Sequence, residues 1–171
     1  LVEGNVRITD AWSQDAGGTG LNYGYVYGGG WGQNVEGGAV VVIRENATIK
    51  HSVIGGGLDA TVKTAEVRIE GGHIQQNVYG GGYAYDTALP VENSDVLGNA
   101  DVRITGGTVS GDIYGVGEGG ATVSGKRTLN LGSADAAAYV ATLNNVYDFN
   151  IAQIANADVT VTGDFSVEEI N

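Results

Sequence analysis

Asn77-Val78-Tyr79-Gly80-Gly81-Gly82 decides the fold, because it is one of a series. Tyr25-Val26-Tyr27-Gly28-Gly29-Gly30 and Ser52-Val53-Ile54-Gly55-Gly56-Gly57 precede it, Asp112-Ile113-Tyr114-Gly115-Val116-Gly117 follows, and Asn145-Val146-Tyr147-Asp148 is a last echo without glycine. Val26, Val53, Val78, Ile113 and Val146 stand 27, 25, 35 and 33 positions apart. Self-similarity at such a period marks a repeat protein whose units stack.

Working outward, three more features recur in fixed order before each copy. An apolar residue comes first, usually with Gly two positions on: Val2/Gly4, Val35/Gly37, Val96/Gly98 and Val123/Gly125, with Val62 lacking its Gly. An alternating apolar pair follows: Val6/Ile8, Val41/Ile43, Val67/Ile69, Val102/Ile104, Leu129/Leu131 and Val159/Val161. A short turn, often Gly-Gly as at Gly71-Gly72 and Gly106-Gly107, then leads to Ile49, Ile74 or Val109. β-Branched alternation broken by Gly is the pattern of short strands with one buried face. A unit of that kind cannot bury its inward face alone and has to stack on its neighbours.

The expected fold is therefore all-β, a parallel β-helix (solenoid) of about five coils with three short strands per coil, insert loops and a closing C-terminal segment. With coils ~4.8 Å apart the regular rod would be ~24 Å tall. Inward residues then form columns: Ile8, Ile43, Ile69, Ile104 and Leu131 in one, Val26, Val53, Val78, Ile113 and Val146 in another. Tyr27, Ile54, Tyr79, Tyr114 and Tyr147 follow the valine column by one residue and should stack as a ladder on one outer face. The glycines are expected at corners with positive φ and close backbone approach, so Val at Gly80 or Gly106 should damage the corner.

Unequal spacing locates the insertions. Ile69 to Val78 and Ile104 to Ile113 each span nine residues, but Ile8 to Val26 spans 18, which places an insert in 10–24. A second lies in 83–95 and a third in 132–144, whose Ala-rich stretch Ala134 to Ala141 would suit a short helix. The regular coils then occupy 1–131 and the last coils or closing segment 132–171, in one domain. Inserted loops on a rigid scaffold either carry binding or fold down as covers. An open coil end exposes unpaired strand edges that must be capped or joined to another chain.

Composition sets outer bounds. The 171 residues with 42% apolar content can fill a core, and 30 clustered Gly with a single Pro do not make collagen. A formal charge of -12 argues against nucleic acid or an anionic membrane as partner, and no apolar run is long enough to span a membrane. The start at Leu1 without Met reads as an excised piece of something larger, and zero Cys excludes disulfides and thiolate metal sites.

The chemistry-bearing residues are few. Trp12, Tyr23, Tyr25, Trp31, Tyr83, Tyr85 and Asp86 cluster in or beside the inserts and are the candidate ligand-binding set. The tyrosine ladder is either an aromatic platform for sugars or a partner protein, or a stack that stabilises the coil. Glu66/Arg68 and Asp101/Arg103 share a face, with Arg7 and Thr160 in the same column, as a surface charge ladder. His51 and His73 fall on different template positions, so no metal or catalytic site is expected. Calcium at loop acids such as Asp10, Asp15, Asp59, Asp86, Glu92 and Asp95 is the one cofactor the residue types allow, although the Gly-Gly-x-Gly-x-Asp calcium repeat is missing.

The Val-Arg-Ile-x-Gly-Gly-x-Val/Ile-x-x-x-Val/Ile-Tyr-Gly run at 67–80 and 102–115 resembles the Gly-rich coils of bacterial surface β-helix proteins, autotransporter-passenger-like and adhesin-like repeats of the pectin-lyase-like superfamily. The tail from Leu143 to Val167 looks like the final coils of such regions. The resemblance implies a right-handed coil and an extracellular or surface-displayed bacterial location. It points to a non-enzymatic stalk or adhesin segment that binds a host glycan or host protein. A polysaccharide lyase or hydrolase pairing Asp15 with Asp86 or Glu92, and a self-assembling fibre subunit joined end to end, are the alternatives.

Overall fold

The computed structural model of the chain describes Leu1, the backbone of Arg7–Ile8, and residues 24–171 apart from 87 and 136; of the Glu92 side chain nothing is said. Strands form wherever β-branched residues alternate: β1 (Arg7–Ile8), β2 (Val26–Tyr27), β3 (Val35–Ile43), β4 (Thr48–Ile49), β5 (Val53–Ile54), β6 (Val62–Ile74) and β7 (Val78–Tyr79). After the insert at 83–95, which ends in a 3-10 turn at Val91–Ser94, come β8 (Ala100–Val109), β9 (Ile113–Tyr114), β10 (Arg127–Gly132) and β11 (Tyr139–Leu143). The chain finishes with β12 (Val146–Ala155), β13 (Ala157–Val161) and β14 (Phe165–Ile170). All described strand pairs are parallel, and the main sheet is nearly closed and barrel-like, as a β-solenoid would be.

The register bears out the central columns. Val26 pairs Val53, Val53 pairs Val78, Val78 pairs Ile113, Ile113 pairs Val146, and Phe165 extends the series. Ile43, Ile69, Ile104 and Leu131 likewise pair in turn, ending on Ile154. From Ile43 to Leu131 this column is at most 1% exposed and belongs to one cluster with the valine column. Burying each such aliphatic side chain contributes about 1.5–3 kcal/mol, which pins the register against slippage. A second, smaller cluster of Val62, Ala65, Val96, Ala100 and Val123 sits behind the glycine triplets, where only small residues fit.

Several expectations are corrected. Ile8 pairs Ile49, not Ile43, and so heads the Ile49–Ile74–Val109 series. Val159 and Val161 pair Ala141 and Leu143 in a separate two-stranded sheet; Ala152 and Ile154 take the place assigned to them. For the same reason Arg7 (on Thr48) and Thr160 (on Thr142) stand outside the Arg68–Arg103 column. Where a short helix is expected in 134–141, Tyr139–Leu143 is instead a strand whose Tyr139 and Leu143 are core. Three strands per repeat are separate in 35–54, whereas in 62–74 the first two fuse into one thirteen-residue strand that turns through Gly71-Gly72.

The triple glycines also differ from expectation. None of them has a positive φ; that role belongs to glycines such as Gly72, Gly107 and Gly132 at the turns. What the triplets need is space. A methyl at Gly55 would lie 2.5 Å from the Gly80 carbonyl oxygen, and one at Gly81 2.5 Å from the Gly117 nitrogen. Successive repeats therefore meet backbone to backbone there. The echo without glycine explains how the stack changes shape: at Val146–Ala155 the chain runs straight through, so the first residues of β12 pair β9, the later ones pair β10, and β14 lies along its opposite edge. With no glycine triplet there and, among the described residues, no partner for Val123 beyond Val96, the small second core stops and the two faces merge.

A candidate aromatic binding face

One residue ahead of the valine column, polar side chains tie each repeat to the next. Ser52 Oγ accepts the Asn77 N–H (3.2 Å), Asn77 Oδ1 the Asp112 N–H (2.9 Å), Asp112 Oδ1 the Asn145 N–H (3.2 Å) and Asn145 Oδ1 the Asp164 N–H (2.8 Å). Asn and Asp suit this place because their short carbonyl arms reach a neighbouring backbone donor. The same row of side chains also holds the tyrosine ladder, Asn77 and Asp112 binding the ring two positions on and Asp164 the ring of the preceding repeat. Asn77 Nδ2 donates to Tyr79 Oη (3.0 Å), while Tyr114 Oη and Tyr147 Oη donate to Asp112 and Asp164 (both 3.3 Å). Thus fixed, Tyr79 and Tyr114 stack at 4.8 Å and Tyr114 and Tyr147 at 5.3 Å between ring centroids.

At the other end of the ladder the rule breaks. Tyr25 takes the position that Ser52, Asn77, Asp112 and Asn145 hold elsewhere, and Ile54, fully buried, interrupts the tyrosines. In place of an amide tie there is a second aromatic layer. The Tyr25 ring stacks on Tyr27 (5.7 Å) and, nearly coplanar, on His51 (4.9 Å, 7°), with Tyr83 tilted at 6.1 Å and Tyr85 edge-on to Tyr83 at 5.7 Å. Asp59 fastens the segment that carries Tyr83 and Tyr85. Buried and held at φ 49°, its Oδ1 accepts the N–H groups of Tyr85 (2.8 Å) and Asp86 (3.0 Å).

Into this layer comes Glu118. The positions just past the glycines pair in series, Trp31 with Leu58, Leu58 with Tyr83 and Tyr83 with Glu118, so the fourth member of an otherwise apolar series is a carboxylate. The Glu118 N–H donates to the Gly82 carbonyl (2.8 Å) and its own carbonyl accepts from Ala84 (3.1 Å). Its Oε2 is buried without a hydrogen-bond partner, as is the Tyr27 hydroxyl. Burial pushes the Glu118 carboxyl above the ordinary carboxylate range. Burial first, then the Glu118 charge, pushes Tyr25 up to about 12, and Glu118 acts in the same sense on Tyr27 and Tyr79. One acid thus acts on three phenols in the same sense.

The sequence-predicted residues divide accordingly. Tyr25, Tyr83 and Tyr85 come together, and Asp86 lies beside them, its Oδ1 accepting the Ala88 N–H to start the following turn. Trp31, 69% exposed, stands two steps away along the series that ends at Glu118. Trp12 and Tyr23, with the whole 10–23 part of the first insert, lie outside the described residues. Glu118 and His51 stand outside the ligand-binding set that the sequence suggests, and Asp59 enters it only as a loop acid for calcium. Glu118 was legible: Gly117-Glu118 aligns under Gly82-Tyr83, Gly57-Leu58 and Gly30-Trp31. His51 was not, since its partner Tyr25 belongs to the preceding repeat.

Asp59, Asp86 and Asp95 each turn a carboxylate oxygen to backbone N–H groups, and no group of three or more metal-capable side chains occurs among the described residues. His51 stacks on Tyr25, and His73 is bonded through Nδ1 to Thr108 (2.6 Å). No helix of the described residues is long and apolar enough to cross a membrane. No family model matches the chain, and neither a curated protein nor a solved structure does.

Proposed function

We propose that the chain is a non-enzymatic segment of a bacterial secreted or surface-displayed protein, a right-handed parallel β-helix of about five coils that serves as a stalk or adhesin and binds a glycan on its tyrosine face. The observation that supports this reading is the second aromatic layer of Tyr25, His51, Tyr83 and Tyr85 laid over a rigid ladder. Aromatic faces take pyranose rings by apolar contact with their C–H surfaces, and a backbone-stapled scaffold holds the rings in place before binding. A glycan array probed with the chain and with Tyr25→Ala/Tyr83→Ala tests it. Retention of specific glycans by the parent and loss in the double variant is expected. Equal signals from both, or signal only from host proteins in a parallel screen, would set the glycan reading aside.

A second reading rests on the C-terminal edge. β14 pairs only β12 among the described strands, and its Ile170 is mostly exposed. Such an edge suits end-to-end joining into a fibre. Light scattering over a concentration series separates the two, since a strict monomer at high concentration leaves the stalk-and-binding reading alone.

A further inference from the structure

We infer that the tyrosine face selects a glycan bearing a free, protonated amine, with the Glu118 carboxylate as its counter-charge and Tyr25, Tyr27 and Tyr83 as its aromatic wall. This inference rests on the glycan reading above and narrows it to amino sugars that are not acetylated. Three observations carry it. Glu118 interrupts an apolar series, Trp31, Leu58, Tyr83, at the member that lies against the second aromatic layer. Its Oε2 and the Tyr27 hydroxyl are both buried and unpartnered, and a buried acceptor without a donor is costly unless something completes it. An ammonium does so: it donates to carboxylate and phenol oxygens and is attracted by the faces of tyrosine rings, whereas an acetamide or a plain hydroxyl brings no charge. Tyr85, 38% exposed and edge-on to Tyr83, borders this layer toward solvent.

The test compares three disaccharides of one shape on the intact chain by calorimetry: β-1,4-linked glucosamine, its N,N′-diacetyl form and cellobiose. About tenfold or greater preference for the free-amine form over the other two is expected. Glu118→Gln should abolish that preference while leaving the weaker binding of cellobiose. Asp158→Asn removes one exposed negative charge on β13 and should retain the preference, which separates a local carboxylate from the general attraction of a chain of formal charge -12. Equal affinities for the three sugars overturn the inference and leave the glycan reading intact. Preference unchanged in Glu118→Gln, or lost equally in Asp158→Asn, also overturns it. Binding of none of the three overturns it too, and the array then decides the broader reading on its own.

Discussion

Two halves of the same tyrosine ladder behave differently. Around Tyr79, Tyr114 and Tyr147 every hydroxyl has an Asn or Asp partner, two residues back for Tyr79 and Tyr114 and in the next repeat for Tyr147, and Asn77 and Asp112 also tie the backbone of the repeat that follows them. Around Tyr25 and Tyr27 the amide tie is replaced by a ring, the ladder is interrupted by Ile54, and a carboxylate and a hydroxyl are buried unpartnered. The same template thus has its polar atoms satisfied within the stack in one half and left unpaired in the other.

The most damaging way to test that contrast is to strike what both halves share. Gly81→Val places a side chain where the first methyl already meets the Gly117 nitrogen at 2.5 Å and Cα at 2.8 Å. A loss of about 4 kcal/mol or more, seen as collapse of the cooperative urea transition, is expected because backbone is the obstacle. Next comes Asn77→Ala, which removes the acceptor of the Asp112 N–H and the donor to Tyr79. It should cost about 1–3 kcal/mol and weaken the tyrosine near-ultraviolet dichroism, yet leave sugar binding at the other half unchanged. Unchanged stability would mean that the amide ladder is ornamental.

Smaller effects of opposite sign are expected in the unsatisfied half. Because burial raises the folded-state pKa of Glu118, its contribution is neutral below the ordinary carboxyl value of 4.5 and turns against folding as pH rises through the raised value. Glu118→Gln should therefore stabilise the chain at neutral pH, by less than Gly81→Val or Asn77→Ala costs it, with the difference vanishing on acidification. A stability gain independent of pH would contradict the buried-charge account. The smallest contrast pairs two hydroxyl deletions. Tyr114→Phe should cost a few tenths of a kcal/mol, since it removes a long 3.3 Å hydrogen bond to Asp112, whereas Tyr27→Phe should be neutral or stabilising because it removes an unpartnered group.

Alkali probes both halves together. Tyr25 and Tyr114 are pushed up to about 12, chiefly by burial. Stability is then intact below the ordinary tyrosine value near 10 and is lost as pH climbs from there toward about 12, so tyrosinate absorbance should rise in step with unfolding.

The amino-acid sequence alone determined the parallel stacking and the main columns, because period-two burial and a repeated Val-Tyr-Gly phrase leave one register that keeps Val53, Val78 and Ile113 inside. It also located Tyr25, Tyr83 and Tyr85 beside the inserts. Tertiary structure decided the rest. Ile8 on Ile49, and Val159 on Ala141, reflect strands that find partners outside their template position once the ends of the stack offer open edges. The triple glycines are set by contact between repeats, a separation that local conformational preference does not encode. The meeting of Tyr25 with His51, and of Glu118 with Tyr83, joins residues 26 and 35 positions apart. Only the stacked chain brings such side chains together, since the energy that aligns them comes from columns buried elsewhere in the fold.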